Sequence, residues 1–191
     1  VSFGYIELST FGTDTAKQVE IALEMFKKKN IQTLVIDLRD NGGGYLTAAT
    51  DILDLFFTSD EVIYQMKEKN SAAKKYYAES DKKYEFENGY ILVNENTASA
   101  SELTAGALQS EKGYQLIGKT TYGKGSAQTQ KTLSDGSVLK YTYAKWMIPN
   151  GTCINGKGLT PDEEVDNVSL SGITTKDVKE TLKVRLCKYT Y

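Results

Sequence analysis

The sequence contains no histidine, and this absence removes one common catalytic arrangement. A serine hydrolase ordinarily passes the hydroxyl proton to an imidazole, because an unperturbed imidazole titrates near neutral pH. Any nucleophilic serine in this chain must therefore use another base. Lysine is the known substitute, since serine–lysine pairs are a variant of the same arrangement.

Cysteine is also scarce, and Cys153 and Cys187 are the only two in 191 residues. They lack the spacing of metal ligands, so in the absence of histidine we expect neither a metal site nor another cofactor. A disulfide between them would require the fold to bring them within reach, which the sequence does not decide. No apolar run approaches the roughly 18 residues of a spanning helix, and we expect no membrane-spanning segment in this chain.

Charge is nearly balanced, with a net charge of −2, which argues against nucleic acid as the main partner. The apolar fraction of 40% and the charged fraction of 25% are those of an ordinary soluble globular domain. A chain of this length can bury a core without disulfides or metals to stabilise it.

Hydrophobic patterning alternates between strands and helices, which predicts an α/β fold with β-rich additions. Residues 61–88 are heavily charged and tyrosine-rich, and we interpret them as short strands or an exposed arm. A turn signal at residues 134–137 predicts a hairpin. The predicted strands are 3–8, 34–38, 90–93 and 114–117, and the predicted helices are about 15–30, 46–56, 99–110 and 175–186.

Ser99 is the first candidate for chemistry, because it falls where an apolar strand ends and a helix begins. A side chain at that junction lies at the carboxyl edge of the sheet, next to the free N–H groups of the helix. Serine is also a favoured helix N-cap, and the local pattern alone favours the capping role. Thr97 and Ser101 compete for that role, which leaves both interpretations of Ser99 open.

Lys124 is the second candidate, since glycines on both sides give its backbone unusual freedom. To act as a base the amine must lose its proton, which burial away from water favours. A solvated loop lysine is the competing interpretation. The same loop, residues 118–125, nearly matches a phosphate-binding pattern. However, Gly125 occupies the position of the magnesium-binding hydroxyl, and no helix is expected after it. We therefore disfavour nucleotide binding.

The third candidate is the glycine run at residues 42–44, which follows a buried strand. Backbone N–H groups in such a turn can stabilise a developing oxyanion, although a tight strand-to-helix turn explains the glycines equally well. A serine, a lysine and a glycine turn are thus all expected at the strand ends where α/β sheets bind ligands.

The combination resembles the carboxyl-terminal processing proteases, also called tail-specific proteases, over roughly residues 3 to 165. Five motifs carry the resemblance, and they occur in the expected order. They are residues 36–44 (IDLRDNGGG), 96–103 (NTASASEL), 121–125 (TYGKG), 133–137 (LSDGS) and 158–162 (GLTPD).

The resemblance implies a serine peptidase with a Ser–Lys dyad on a crotonase/ClpP-like core of β-β-α units with a β-rich extension. Ser99 would be the nucleophile and Lys124 its general base, and Gln128 would orient the lysine amine. The oxyanion hole would combine the backbone N–H of Ala100 with that of Gly43 or Gly44. The substrate would be a polypeptide held through its carboxyl end.

Members of this family usually carry a PDZ domain ahead of the catalytic core, and this chain has no such segment. The resemblance therefore implies a catalytic core at residues 1–168, a carboxyl-terminal extension with a short helix at 169–191, and an upstream PDZ domain in a longer protein. It also implies an extracytoplasmic location. A non-catalytic peptide-binding module on the same fold is the main alternative, and a nucleotide-binding protein is a third, weaker one.

Overall fold

The computed structural model describes residues 2–81 and 84–166 and the backbone of residues 182–186. Strands and helices alternate in its first half, and strands dominate the second. The elements, in chain order, are β1 (Gly4–Leu8), α1 (Thr15–Lys28), β2 (Thr33–Asp37), α2 (Leu46–Leu53), β3 (Val62–Glu68), β4 (Lys74–Tyr77), β5 (Asn88–Val93), α3 (Ala100–Lys112), β6 (Gln115–Gly118), β7 (Ser126–Thr132), β8 (Val138–Met147), β9 (Glu163–Glu164) and β10 (Leu182–Leu186).

A six-stranded parallel sheet forms the centre of the molecule, in the order β10-β1-β2-β5-β6-β9. Its central strands contribute fully buried side chains such as Ile6, Leu34 and Ile91. Helix α2 packs between α1 and α3, so the three helices lie side by side. The predicted α/β class is confirmed by this arrangement, in which helices α1 and α3 form the crossovers from β1 to β2 and from β5 to β6.

A second, antiparallel sheet has the order β4-β3-β8-β7. Residues 61–88 supply β3 and β4, as the interpretation of short strands anticipated. Strands β7 and β8 form the predicted hairpin, in which Gly136 takes a positive φ of 85° at the turn. Most side chains of β7 and β8 are exposed, except at the end of β8, where Trp146 packs into the core.

The expected helix at about 175–186 differs from the structure in its last five residues, which form strand β10. This strand pairs in parallel with β1, with Gly4 opposite Leu182. The sequence LKVRL alternates apolar and charged residues with a period of two, which suits a strand better than a helix. The rest of the predicted helix and Cys187 lie outside the described residues, as does any pairing of Cys187 with Cys153. The boundary between the catalytic core and the carboxyl-terminal extension at residue 168 stays a prediction. Strand β10 lies beyond that boundary but pairs with the core sheet.

Within the described residues, every helix is too short or too polar to cross a bilayer.

Candidate active site

Ser99 lies in a strained turn between β5 and α3. Its backbone has φ of 60° and ψ of −119°, a conformation that non-glycine residues rarely adopt. Such strain is typical of functional sites, and a sharp strand-to-helix turn is a known way of exposing a nucleophile. Thr97 supports the turn, because its hydroxyl donates to the carbonyl of Leu38 at 2.8 Å and accepts the N–H of Asn94 at 3.0 Å.

The glycine turn follows β2, which is the parallel neighbour of β5, so both turns meet at one edge of the sheet. Asn41 joins them, because its carbonyl accepts the N–H of Ala98 at 3.0 Å and the hydroxyl of Ser101 at 2.9 Å. Gly43 packs directly on the serine turn: a Cβ there would lie 2.8 Å from the carbonyl oxygen of Ala98. A glycine is required at this position by space as well as by its φ of 100°.

The backbone N–H groups around Ser99 differ in their availability. The N–H of Gly43 donates to Oδ1 of Asn41 at 2.9 Å and is therefore engaged within the turn. Gly44 and Ala100, in contrast, both line the cavity next to Ser99. Ala100 is the first residue of α3, where N–H groups have no intrahelical partner. Of the two glycines expected for an oxyanion hole, the geometry favours Gly44.

Lys124 lies in the loop between β6 and β7, and both flanking glycines fit tightly against residues 155–158. A Cβ on Gly123 would lie 2.8 Å from the nitrogen of Gly158, and one on Gly125 would lie 2.9 Å from that of Asn155. Lys124 lines the same cavity as Ser99. Its side chain is exposed, and among the described residues no hydrogen bond links Ser99 Oγ to Lys124 Nζ. The described residues thus leave the Lys124 side chain exposed, whereas burial away from water would favour the neutral amine that a general base needs.

Glu102 is a residue whose role the sequence analysis missed. Its side chain is fully buried and joins the serine turn to the lysine loop. Oε2 accepts the backbone N–H groups of Ser99 and Lys124, each at 2.9 Å. Oε1 accepts the hydroxyl of Thr121 and the N–H of Gly123, each at 2.6 Å. The Ser-x-x-Glu spacing of a capping box was the available signal, but only its Ser99 contact is local.

Gln128 lines the cavity from β7, although its contacts differ from the expected role. Its Nε2 donates to the Thr142 hydroxyl at 3.5 Å rather than to Lys124. The pairing of β7 with β8 is irregular at this point, since Ala127 faces Ala144 while the next residue faces Thr142. Such irregularities redirect side chains near functional sites.

Beneath the glycine turn, a cluster of polar side chains holds the end of β2. Asp37 is buried and accepts hydrogen bonds from the Tyr5 hydroxyl and the Arg39 guanidinium, both at 2.6 Å. Burial, and next the hydrogen bond to Asp37, raise the pKa of Tyr5 above its ordinary range. The hydrogen bond to Asp37 likewise raises the pKa of Arg39. The hydrogen bonds of this cluster fix the backbone that enters the turn.

Two asparagines that follow the neighbouring strand β5 form hydrogen bonds to the glycine turn. Asn94 Nδ2 and Asn96 Nδ2 donate to Oδ1 of Asp40 at 2.9 and 2.8 Å. The hydrogen bonds from Asn96, and next from Asn94, lower the pKa of Asp40 from its ordinary value. The loops after β2 and β5 are thereby linked on the solvent side as well as through Asn41.

The cavity that contains these groups has a volume of about 270 Å³ and is open to solvent. Its lining includes the apolar side chains of Leu103, Met66 and Trp146 together with the reactive candidates Ser99 and Lys124. An arrangement of this kind can hold an apolar side chain while a nearby carbonyl faces Ser99. The loop at 118–125 runs into β7 instead of a helix, so it lacks the helix N-terminus that a phosphate-binding loop requires.

Fold and site together define a class of α/β proteins that present a serine above the carboxyl ends of parallel strands, beside a glycine turn. The sequence profile of Peptidase family S41 matches residues 2–165. The chain therefore belongs to this family of serine-type peptidases.

Relatives of known name agree with that membership. Carboxy-terminal processing protease CtpB of Bacillus subtilis (strain 168) is 38% identical over 183 residues, covering 96% of this chain and 38% of that protein. CtpA of the same strain is 35% identical over 182 residues, covering 95% of this chain and 39% of that protein. The chain thus spans about two fifths of the length of these curated relatives.

Solved structures show the same fold. A photosystem II D1 C-terminal processing protease superposes with a TM-score of 0.77 and 32% identity, covering 87% of this chain and 44% of that one. A lipoprotein from Streptococcus agalactiae has a TM-score of 0.67 at 18% identity, covering 87% of this chain and 63% of that one, and shares the fold alone.

Proposed function

We propose that this chain is the catalytic part of a serine endopeptidase that cleaves polypeptides near their carboxyl ends with a Ser99–Lys124 dyad. The observation that carries the proposal is the buried carboxylate of Glu102, which ties the backbone of Ser99 to that of Lys124. A shared anchor of this kind fixes the relative position of two groups that must react together. The family and the names of its relatives support the same activity.

In the proposed mechanism, Lys124 Nζ accepts the proton of Ser99 Oγ while Oγ attacks the scissile carbonyl carbon. The oxyanion accepts hydrogen bonds from the N–H groups of Ala100 and Gly44, and losing one such donor costs about 3–4 kcal/mol of transition-state stabilisation. The lysine then protonates the leaving amine. In the second half of the reaction it deprotonates the water that hydrolyses the acyl-enzyme.

Because Lys124 is exposed without substrate, the proposal requires that a bound polypeptide displaces water from the amine. Gln128 would turn from Thr142 towards the lysine in that state. The proposal also includes a crotonase/ClpP-type core, an upstream PDZ domain in the full-length protein that grips the substrate's carboxyl end, and an extracytoplasmic location. The parallel sheet with its three adjacent helices supports the first of these.

The test is cleavage of an unfolded protein and of a tail peptide, offered as the free acid and as the amide. We expect cleavage by the chain to be lost in Ser99→Ala and in Lys124→Ala. The matched control is Lys119→Ala, because Lys119 lies in the same loop but pairs with Glu164 and Asp166. Preference for the free acid would place recognition of the carboxyl end in this chain. Full cleavage by Ser99→Ala would contradict the proposed nucleophile.

A non-catalytic peptide-binding module is the second candidate, and the exposed Lys124 without a hydrogen bond to Ser99 is the observation that favours it. It predicts that the same peptides bind but are never cleaved, by the chain or by the full-length protein.

A further inference from the structure

Strand β7 begins two residues after Lys124 and forms one edge of the antiparallel sheet. Among the described residues, β7 pairs with β8 and with no other strand. Its other edge therefore offers backbone N–H and C=O groups for pairing.

The candidate active-site cavity extends to the first residues of this strand. Successive side chains of a strand point to opposite faces, so a cavity above one face contacts alternate residues. Here the consecutive residues Ser126, Ala127 and Gln128 all line the cavity, together with Ser99 and Lys124. The register with β8 shifts between Ala127 and Gln128, which brings neighbouring side chains to the same cavity, so the cavity runs along the start of β7.

One backbone donor at this edge can be assigned from the peptide geometry. The carbonyl of Gly125 accepts the N–H of Trp146 at 3.0 Å and so points towards β8. No peptide bond in the described residues is cis. In a trans peptide the C=O and N–H point in opposite directions, so the N–H of Ser126 points away from β8. It is directed to the free edge within the cavity lining.

The two edges of this sheet differ in their protection. Edge strand β4 carries adjacent charges at Lys74 and Lys75, a common way of preventing a further strand from pairing. Strand β7 has the sequence SAQTQKT, which contains no proline and a single charge, Lys131, far from the cavity. Small neutral side chains leave its backbone accessible at the end nearest Ser99.

We propose that the polypeptide substrate binds as an added strand on the free edge of β7, starting at the N–H of Ser126. The inference rests on the proposed function, and it gives the substrate's course through the site. Main-chain hydrogen bonds supply affinity with little dependence on sequence, while alternate side chains face the cavity. Recognition of this kind suits the proposed endopeptidase, because it depends little on the substrate's sequence.

The experiment measures binding of a fluorescent eight-residue peptide to the Ser99→Ala variant of the full chain by anisotropy. Each backbone N–H of the peptide is methylated in turn. Since every second substrate residue points its N–H towards β7, we expect alternate N-methyl groups to weaken binding about tenfold and the others less than about threefold. Weakening without a period of two, or no binding of the parent peptide, would overturn the proposal.

A substitution in the protein tests the hydrogen bond from the Ser126 N–H to the peptide. Ser126→Pro removes the outward N–H at the first residue of a strand, where proline is tolerated, and Ser126→Ala keeps it. We expect about tenfold weaker peptide binding for proline than for alanine at equal unfolding midpoints. Hydrogen exchange at the Ser126 amide should slow when peptide binds, and an unchanged rate would contradict pairing. Cleavage of the parent peptide by the wild type tests the proposed function separately, because binding without cleavage would refute only that function.

Discussion

Replacing Glu102 by glutamine tests whether one buried carboxylate holds the two halves of the site together. The carboxylate accepts four hydrogen bonds, two on each oxygen. An amide presents one oxygen and one NH₂ group, and the NH₂ fits best on the side of Thr121, whose hydroxyl can rotate to accept it. The N–H of Gly123 on that side would then face another donor. We therefore expect Glu102→Gln to lower both the free energy of unfolding and the rate of cleavage.

The magnitude follows from the bond lost. A hydrogen bond to a charged group contributes about 1.5–3 kcal/mol, so losing the Gly123 bond predicts a loss of about 1.5–3 kcal/mol in the free energy of unfolding. The whole free energy of unfolding of a typical domain is only about 5–15 kcal/mol. The surviving folded fraction should still cleave more slowly, because a neutral amide oxygen is a weaker shared anchor for Ser99 and Lys124 than a carboxylate.

Urea unfolding and kcat/KM are the two measurements, with Glu111→Gln as the matched control. Glu111 lies on the same helix but is exposed, and its substitution should change stability by less than about 0.5 kcal/mol. A loss below about 1 kcal/mol for Glu102→Gln, or an unchanged kcat/KM, would refute the reasoning.

Two further predictions concern the neighbouring turn. Gly43→Ala should lower the free energy of unfolding by about 1–3 kcal/mol and remove most of the activity, because the φ of Gly43 is 100° and the added Cβ meets Ala98. The control is Gly42→Ala, which has open space around it and should leave the urea unfolding midpoint unchanged. Asp40 has a lowered pKa when folded, so its contribution to stability is present above its unfolded pKa and is lost as pH falls through the folded value. Unfolding midpoints measured below about pH 4 should fall less steeply for Asp40→Asn than for the wild type. An identical slope would show that its hydrogen bonds to the asparagines do not matter.

The sequence predicted which elements meet at the site, because strand ends in a parallel sheet share one edge. Ser99, Lys124 and the glycine turn could be placed in this way, and all three lie around one cavity or its supporting turn. The role of Glu102 could not be predicted, since a glutamate in the first turn of a helix is usually solvated. It is buried here because the loop before β7 folds over it, a contact that no local pattern encodes.

The error at residues 182–186 has a different cause. Their alternation of apolar and charged residues is visible in the sequence, but the amphipathic pattern that begins at Thr175 also runs across it and favours a helix. The exposure of Lys124 was equally beyond local reasoning, because flanking glycines determine backbone freedom and not what covers the side chain. Whether the backbone N–H of Gly43 or that of Gly44 is available depends on a single contact, the hydrogen bond from the Gly43 N–H to Asn41 Oδ1.

The pairing of β10 with β1 has a consequence for how the chain reaches its fold. During synthesis, β1 can pair with β2 early, but its other edge stays open until residues 182–186 have left the ribosome. Contacts between such distant segments form late, since a long loop must close first. Until then the nascent chain presents an apolar strand with one unpaired edge to whatever is nearby, and chaperone binding or self-association would be concentrated there.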